Sequence, residues 1–405
     1  MRKSIVYFLL VLCSCVFAQD KSIYKEYKNQ FFQGILDSIQ EFEKTPARPE
    51  KKFRMDFTDK QFPTDKKLYT TVWHNEPISQ GNSGTCWAYC STSFFESEIF
   101  RLTGKKVKLS EMYTVYWEIV EKARRFVQQR GDSNFDEGSQ SGAVIRIWKQ
   151  YGIVPAEAYT AMKPGQKFHN HETMFNEMKK YLESVKANNA WNEKQVLETI
   201  QAIIHHYMSV PPEVITADGK KMTPKEYFAS LKLCLDDYVD LLSLNKDPYY
   251  QMVEYVVPDN WWHNKEHLNV PLEDFMWVLK NALTNGYSVD FGGDVSEPGY
   301  DMFAKVGVVP TFDIPSEFID EHARMFRFSN NTTTDDHGIH CVGIYSQGDK
   351  NWYLIKDSGS GSRNVEPVGY VFYHEDYIKL KIMNILVHKD AAGKVWQKYL
   401  EVSKK

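Results

Sequence analysis

Six cysteines among 405 residues are too few and too scattered for a disulfide framework, so stability has to come from a buried core. Two of them, Cys13 and Cys15, sit in an N-terminal apolar run, which leaves Cys86, Cys90, Cys234 and Cys341. Beyond that run no stretch is apolar enough to cross a bilayer, which excludes a transmembrane span in the mature chain. Long basic blocks are absent too. The 49 Lys and Arg face 53 Asp and Glu, a formal charge of −4, and this balance argues against a nucleic-acid partner. Internal repeats and low-complexity tracts are also missing, so a repeat architecture is excluded. What remains is a long chain with 14% aromatic residues, enough to build a large core.

Met1-Arg2-Lys3, the apolar residues from Ile5 to Phe17 and then Ala18-Gln19-Asp20 have the layout of a secretory signal peptide. Val16 and Ala18 suit a cut after Ala18, giving a signal over residues 1–18 and a secreted or periplasmic product. Loss of Arg2 and Lys3 leaves 47 basic against 53 acidic residues, a formal −6. Leu12-Cys13-Ser14-Cys15 offers a lipid-anchored alternative through Cys15. Residues 19–75 read as a charged lead-in. One amphipathic helix there carries Tyr27, Phe31, Phe32, Ile35, Leu36 and Ile39, is ended by Pro46 and Pro49, and is followed by a short strand over Leu68–Trp73. Residues 76–405 form one domain, helical from Cys86 to about Tyr159 and with a lysine- and glutamate-rich helical insertion over about 163–265. Strand signals follow in Tyr287–Phe291, Gly338–Tyr345, Trp352–Lys356, Gly369–Tyr373 and Ile382–Val387. The fold class is therefore α+β, with a helical half, an antiparallel sheet half and a helical insertion between them.

Gln80-Gly81-Asn82-Ser83-Gly84-Thr85-Cys86-Trp87-Ala88 carries the chemistry. Only a thiolate attacks, and a cysteine reaches that state at a helix N-terminus beside an imidazole. The residues before Cys86 read as a tight loop, and Ala88, Ser91, Phe94, Phe95 and Ile99 continue at helical spacing. Gln80 can offer a side-chain amide to an oxyanion beside the sulfur.

This loop resembles the active-site segment of papain-like cysteine peptidases, Gln-Gly-x-x-Gly-x-Cys-Trp. The resemblance implies that fold, with Cys86 as nucleophile and peptides as substrates, and it calls for no cofactor. His337, 251 residues on in Asp336-His337-Gly338-Ile339-His340-Cys341-Val342-Gly343, resembles the family's histidine strand and takes the base role. His340 lies on the opposite face of that strand and is structural. Asp357, in Trp352-Tyr353-Leu354-Ile355-Lys356-Asp357-Ser358-Gly359, replaces the asparagine that orients the imidazole, and Gly359 replaces the tryptophan that shields the pair. A carboxylate can accept the same hydrogen bond and should raise the pKa of His337, whereas loss of the tryptophan raises the question of what isolates the pair from water. The pairs His169/His171 and His205/His206 lack cysteine or acid partners at ligand spacing, so no metal is expected.

Glu137-Gly138-Ser139-Gln140, Tyr151-Gly152-Ile153-Val154-Pro155, Leu268-Asn269-Val270-Pro271 and Phe291-Gly292-Gly293-Asp294-Val295 resemble the bleomycin hydrolase and aminopeptidase C branch, as does the helical insertion. The branch implies substrate-backbone pairing at Gly138 and Ser139, a homo-oligomer, and removal of residues from peptide N-termini. There a C-terminal tail carboxylate holds the substrate's amino group. Here the sequence reaches Lys405 with two terminal lysines after one amphipathic stretch, Val395–Leu400, and the extended arm is expected to be missing. An endopeptidase of the same fold and a catalytically silent peptide-binding relative are the alternatives.

Overall fold

The computed structural model describes residues 29–43 and 53–404. The first stretch belongs to a unit of its own and holds α1 (Gln30–Glu43), on which Phe31, Phe32, Ile35, Leu36 and Ile39 are all exposed. The signal peptide, Cys15, Tyr27 and the two prolines lie outside the described residues.

The second unit begins with β1 (Thr70–Thr71) and then builds a helical half from α2 (Cys86–Thr103), α3 (Glu111–Gln128), α4 (Ser141–Tyr151), α5 (Glu172–Ala187) and α6 (Glu193–Met208). Ser110 caps α3 by accepting from the Tyr113 N–H at 3.1 Å. The sequence gives α2 a single apolar face, yet the helix is buried almost all round from Trp87 to Ile99. It lies between the other helices and the sheet, with Phe94 and Phe95 in the helical core and small residues such as Ser93 toward the sheet. A short hairpin of β2 (Ile215–Ala217) and β3 (Lys220–Met222) leads to α7 (Pro224–Ser230), whose Thr223 and Glu226 form a reciprocal capping box.

The expected helical insertion is helical only to this point. Residues 238–269 instead supply β4 (Tyr238–Leu242), β5 (Gln251–Val253) and β6 (His267–Asn269) to the main sheet. All five residues of β4 are buried, because both of its faces are covered, and the period-two alternation that announces a strand is lost.

The chain continues through α8 (Leu272–Thr284), β7 (Val289–Gly293), β8 (Tyr300–Asp301), β9 (Val306–Gly307), α9 (Glu321–Ser329), β10 (His337–Gln347) and β11 (Lys350–Lys356). It closes with β12 (Tyr370–His374), α10 (Glu375–Lys381), β13 (Ile382–His388) and α11 (Lys389–Val402). The sheet runs β5-β6-β4-β13-β7-β10-β11-β12-β9-β8, with β1 added alongside β10. It is mostly antiparallel, but the pairs β4–β6 and β9–β12 are parallel, so the sheet is mixed. Residues Val289, Phe291, Ile339, Cys341 and Ile355 of the central strands share one core with α8 and α11. The amphipathic stretch near residue 400 thus becomes α11, held to α8 by a hydrogen bond from Asn281 to the Ala391 carbonyl.

Candidate active site

Cys86 is the first residue of α2, where backbone N–H groups lack helical partners and the helix dipole favours a negative sulfur. The loop before it is braced by the segment that enters α5. Asn82 N–H donates to the His169 carbonyl at 2.8 Å, and His171 N–H donates to the Asn82 carbonyl at 3.1 Å. Gly81 permits this: its φ is +69°, and a Cβ there would fall 2.5 Å from the His169 oxygen. His171 itself bonds to Glu137. Among the described residues no group of three His, Cys, Asp or Glu is placed to hold a metal ion.

Gln80 is buried and held at both ends of its amide. Nε2 donates to the Ser83 carbonyl at 2.6 Å, and Oε1 accepts from the Ser358 hydroxyl at 2.8 Å. One N–H of the amide remains.

His337 opens β10, which passes directly beneath the first turn of α2. The approach is close because residue 338 is glycine. A Cβ there would lie 3.0 Å from Trp87 Cα and 3.4 Å from the Cys86 carbonyl carbon. His337 Nε2 stands 2.8 Å from Asp357 Oδ1, which leaves Nδ1 for proton exchange with a thiol. Cys86 and His337 line the same small cavity. Burial alone would make the imidazole less basic, but the Asp357 carboxylate, and after it the Cys86 sulfur, raise its pKa well above the ordinary value. Burial likewise pushes Asp357 up, yet His337 and the Gly359 N–H hold it below its usual range.

With glycine at 359 the pair is still covered. The side chains of His337 and Asp357 are only 14% and 3% exposed. Gly359 N–H donates to Asp357 Oδ1 at 2.9 Å, and a Cβ on Gly359 would stand 3.3 Å from that oxygen and 3.4 Å from His337 Cε1. The loop backbone itself covers the pair. His340 lies in the interior against Ser93 Oγ at 2.8 Å, and burial, helped by nearby Lys356, keeps it neutral.

Ser139 lines the cavity with Cys86, while its hydroxyl points into the protein and donates to Glu118 at 2.7 Å. Gly138 is less free than its sequence context suggests. Its carbonyl accepts from buried Lys122, and a Cβ on it would fall 2.4 Å from Asp259 Oδ2. Asp259 comes from a loop pinned by Trp261 Nε1, which donates to Glu118 at 2.7 Å. Asp259, Gln140, Asp290 and Asp335 all line the cavity, and the sequence reading names none of them as site residues. Two had a local signal: Gln140 follows Ser139, and Asp335 stands two residues before His337. Asp259 and Asp290 had none, because the fold alone brings them to the cleft.

A model of the Peptidase C1-like family matches residues 55–404. The chain belongs to that family. As a Peptidase C1-like protein it is a cysteine-type peptidase, and its relatives agree with this placement. Aminopeptidase C of Lactococcus lactis subsp. cremoris is 22% identical over 356 residues, covering 78% of this chain and 81% of that one. Aminopeptidase C of Lactobacillus delbrueckii subsp. lactis is 26% identical over 270 residues, covering 55% and 59%. The mitochondrial cysteine proteinase 1 of Saccharomyces cerevisiae is 23% identical over 281 residues, covering 56% and 57%. Among solved structures, PepW from Lactobacillus rhamnosis superposes with a TM-score of 0.66 at 17% identity, covering 85% of this chain and 86% of that one. That likeness concerns the papain-like fold. Within the fold, the cavity that Cys86 and His337 line lies where the first turn of α2 meets the start of β10.

Proposed function

We propose that this peptidase removes residues from peptide N-termini by thiol catalysis at Cys86, with His337 as base and acid, Asp357 as its orienting partner and Gln80 as an oxyanion donor. The observation that carries the reading is His337 between the Asp357 carboxylate and the Cys86 sulfur, its pKa raised by both. An imidazolium so placed stabilises a thiolate. Sγ attacks the scissile carbonyl carbon, and the oxyanion that forms is met by the remaining Gln80 N–H and the unpaired N–H at the start of α2. The imidazolium proton passes to the departing amine as the C–N bond breaks, leaving a thioester. Water then attacks that thioester, giving a proton to His337, and the C–S bond breaks to return the thiol. The aminopeptidase C relatives support the exopeptidase part of the reading.

A thiol-directed epoxide tests the chemistry. It should label Cys86 at neutral pH and should not label Cys86→Ala, which should also lose all turnover while staying folded. An unlabelled Cys86 would favour a silent peptide-binding relative. The leader-like residues 1–18 support export with a mature chain starting at Gln19. Mass spectrometry of the mature protein tests this, and a lipid-modified start at Cys15 would replace it with the anchored form.

A further inference from the structure

The cavity that Cys86 and His337 share is walled by Ser139, Gln140, Asp259, Asp290, Asp335 and Asn384. Four wall atoms have no hydrogen-bond partner among the described residues: Ser91 Oγ, Gln140 Oε1, Asp290 Oδ2 and Asn384 Oδ1. They belong to residues only 1%, 5%, 2% and 2% exposed, and all but the Ser91 hydroxyl, which faces Asp290, are pure acceptors. One N–H of each amide is taken by a neighbouring carboxylate, and Asp290 accepts from a single thiol. Gln140 Nε2 donates to Asp335 Oδ2 at 3.1 Å, Asn384 Nδ2 to Asp240 Oδ1 at 2.9 Å, and the Cys90 thiol to Asp290 Oδ1 at 2.6 Å. No hydrogen bond from the described residues reaches the Asp259 carboxylate, and Lys122, the cation that acts on it, is engaged with the Asp136 and Gly138 carbonyls. Unpaired buried acceptors are costly, and several converging on one space call for a donor-rich guest.

The space is small, about 30 Å³, which is room for one water-sized group and not for a side chain. An ammonium group has that size, three donors and no acceptor. Burial raises Asp335 to about 8 and Asp259 to about 6, so at neutral pH Asp259 is mostly ionised while Asp335 holds a proton that a bound cation would displace. A metal ion is the poorer guest, because the described residues bring no three ligating groups together.

We propose that this cavity takes the free α-ammonium group of the peptide substrate, with Asp335, Asp259 and Gln140 Oε1 as its acceptors. The proposal rests on the peptidase reading above and names what selects the substrate. With the ammonium held beside Cys86, the carbonyl within reach of the sulfur is that of the first residue, so the enzyme removes one residue at a time.

The test uses the full chain and three substrates: leucyl-aminomethylcoumarin, its N-acetyl form, and the 4-methylpentanoyl analogue in which hydrogen replaces the amine. The wild type should favour the free amine over both others by at least about 100-fold in kcat/KM, as sites built around a buried polar partner do. Asp335→Asn and Asp259→Asn should each lower that ratio at least about tenfold, chiefly through KM for the free amine. Equal hydrolysis of the amine and the 4-methylpentanoyl analogue by the wild type would overturn the proposal. So would a ratio untouched in both variants, or activity abolished by a chelator and restored by calcium. Epoxide labelling of Cys86 reports folding of each variant; where a variant fails it, the wild-type comparison decides. Labelling without amine preference sinks only the cavity's role, whereas no labelling at all sinks the peptidase mechanism.

Discussion

The hydroxyl of Ser358 donates to Oε1 of Gln80 across 2.8 Å, and the Ser358 carbonyl accepts from the Gln80 backbone N–H at 3.1 Å. Ser358 lies between Asp357 and Gly359, so the loop that orients the imidazole also orients the amide beside the cysteine. With Oε1 committed to Ser358 and one N–H to Ser83, the Gln80 amide cannot flip without breaking both contacts. It is a preorganised donor rather than an adaptable one.

Replacing Gln80 with alanine should therefore lower kcat about 10²- to 10³-fold and leave KM nearly unchanged, the signature of a donor used mainly in the transition state. Steady-state kinetics on one peptide substrate measure the split. A loss carried mainly by KM would make Gln80 a binding residue instead.

Asp357→Asn keeps an oxygen to accept from His337 Nε2 but removes the charge. Asp357 is the main partner raising the His337 pKa, so the variant's imidazolium should lose its proton at lower pH. The alkaline limb of the pH–rate profile should move acidward by about one to two units, the usual effect of losing a close opposite charge. At its own optimum the variant should keep activity within about tenfold of wild type. An unmoved alkaline limb would mean that another group controls it.

Gly338→Ala tests the seat of β10 beneath α2. The new Cβ would meet backbone atoms of Trp87 at 3.0 and 3.2 Å, which cannot rotate away as a side-chain end would. The strand must shift, at a cost of about 1–3 kcal/mol in stability. The same shift moves His337 relative to Cys86, and a misplacement on the order of 1 Å costs about 10² in rate. Thermal melts and kcat should thus diverge, with a folded protein that is slow. Unchanged kcat would show that the close approach does not set the alignment.

What the sequence disclosed follows from how local each signal was. The cysteine loop, the histidine strand and the capped helices at Ser110 and Thr223 are short contiguous patterns whose physical reasons lie within a few residues. The strand β4 was hidden because Val239, Leu241 and Leu242 are buried along with Tyr238 and Asp240, so no alternation showed. The cover over His337 is not legible in the sequence because a backbone loop replaces a side chain, and sequence names side chains only. Asp259 was invisible for a different reason. Its meaning comes from Gly138, more than a hundred residues away, and only the pinned loop around Trp261 brings the two into contact.

Asp290 offers a stability test with a defined pH window. It is fully buried on β7, faced by the Cys90 thiol, the Ser91 hydroxyl and the Asp240 carboxylate, and burial raises its pKa from 3.8 to about 7. Below pH 4 both folded and unfolded chains hold this proton, so the group is neutral to stability. Between pH 4 and 7 the unfolded chain releases the proton while the fold retains it, and the wild type loses stability as pH rises. Above pH 7 the loss is complete and levels off, at no more than about 4 kcal/mol for a three-unit shift. Asp290→Asn removes the titration, keeps an oxygen for the Cys90 thiol and puts an amide nitrogen in place of the other oxygen. Its stability relative to wild type should therefore rise steadily from pH 4 to pH 7, whatever the starting offset. Urea unfolding at several pH values reads the slope, and a flat difference would place the Asp290 pKa in the ordinary range.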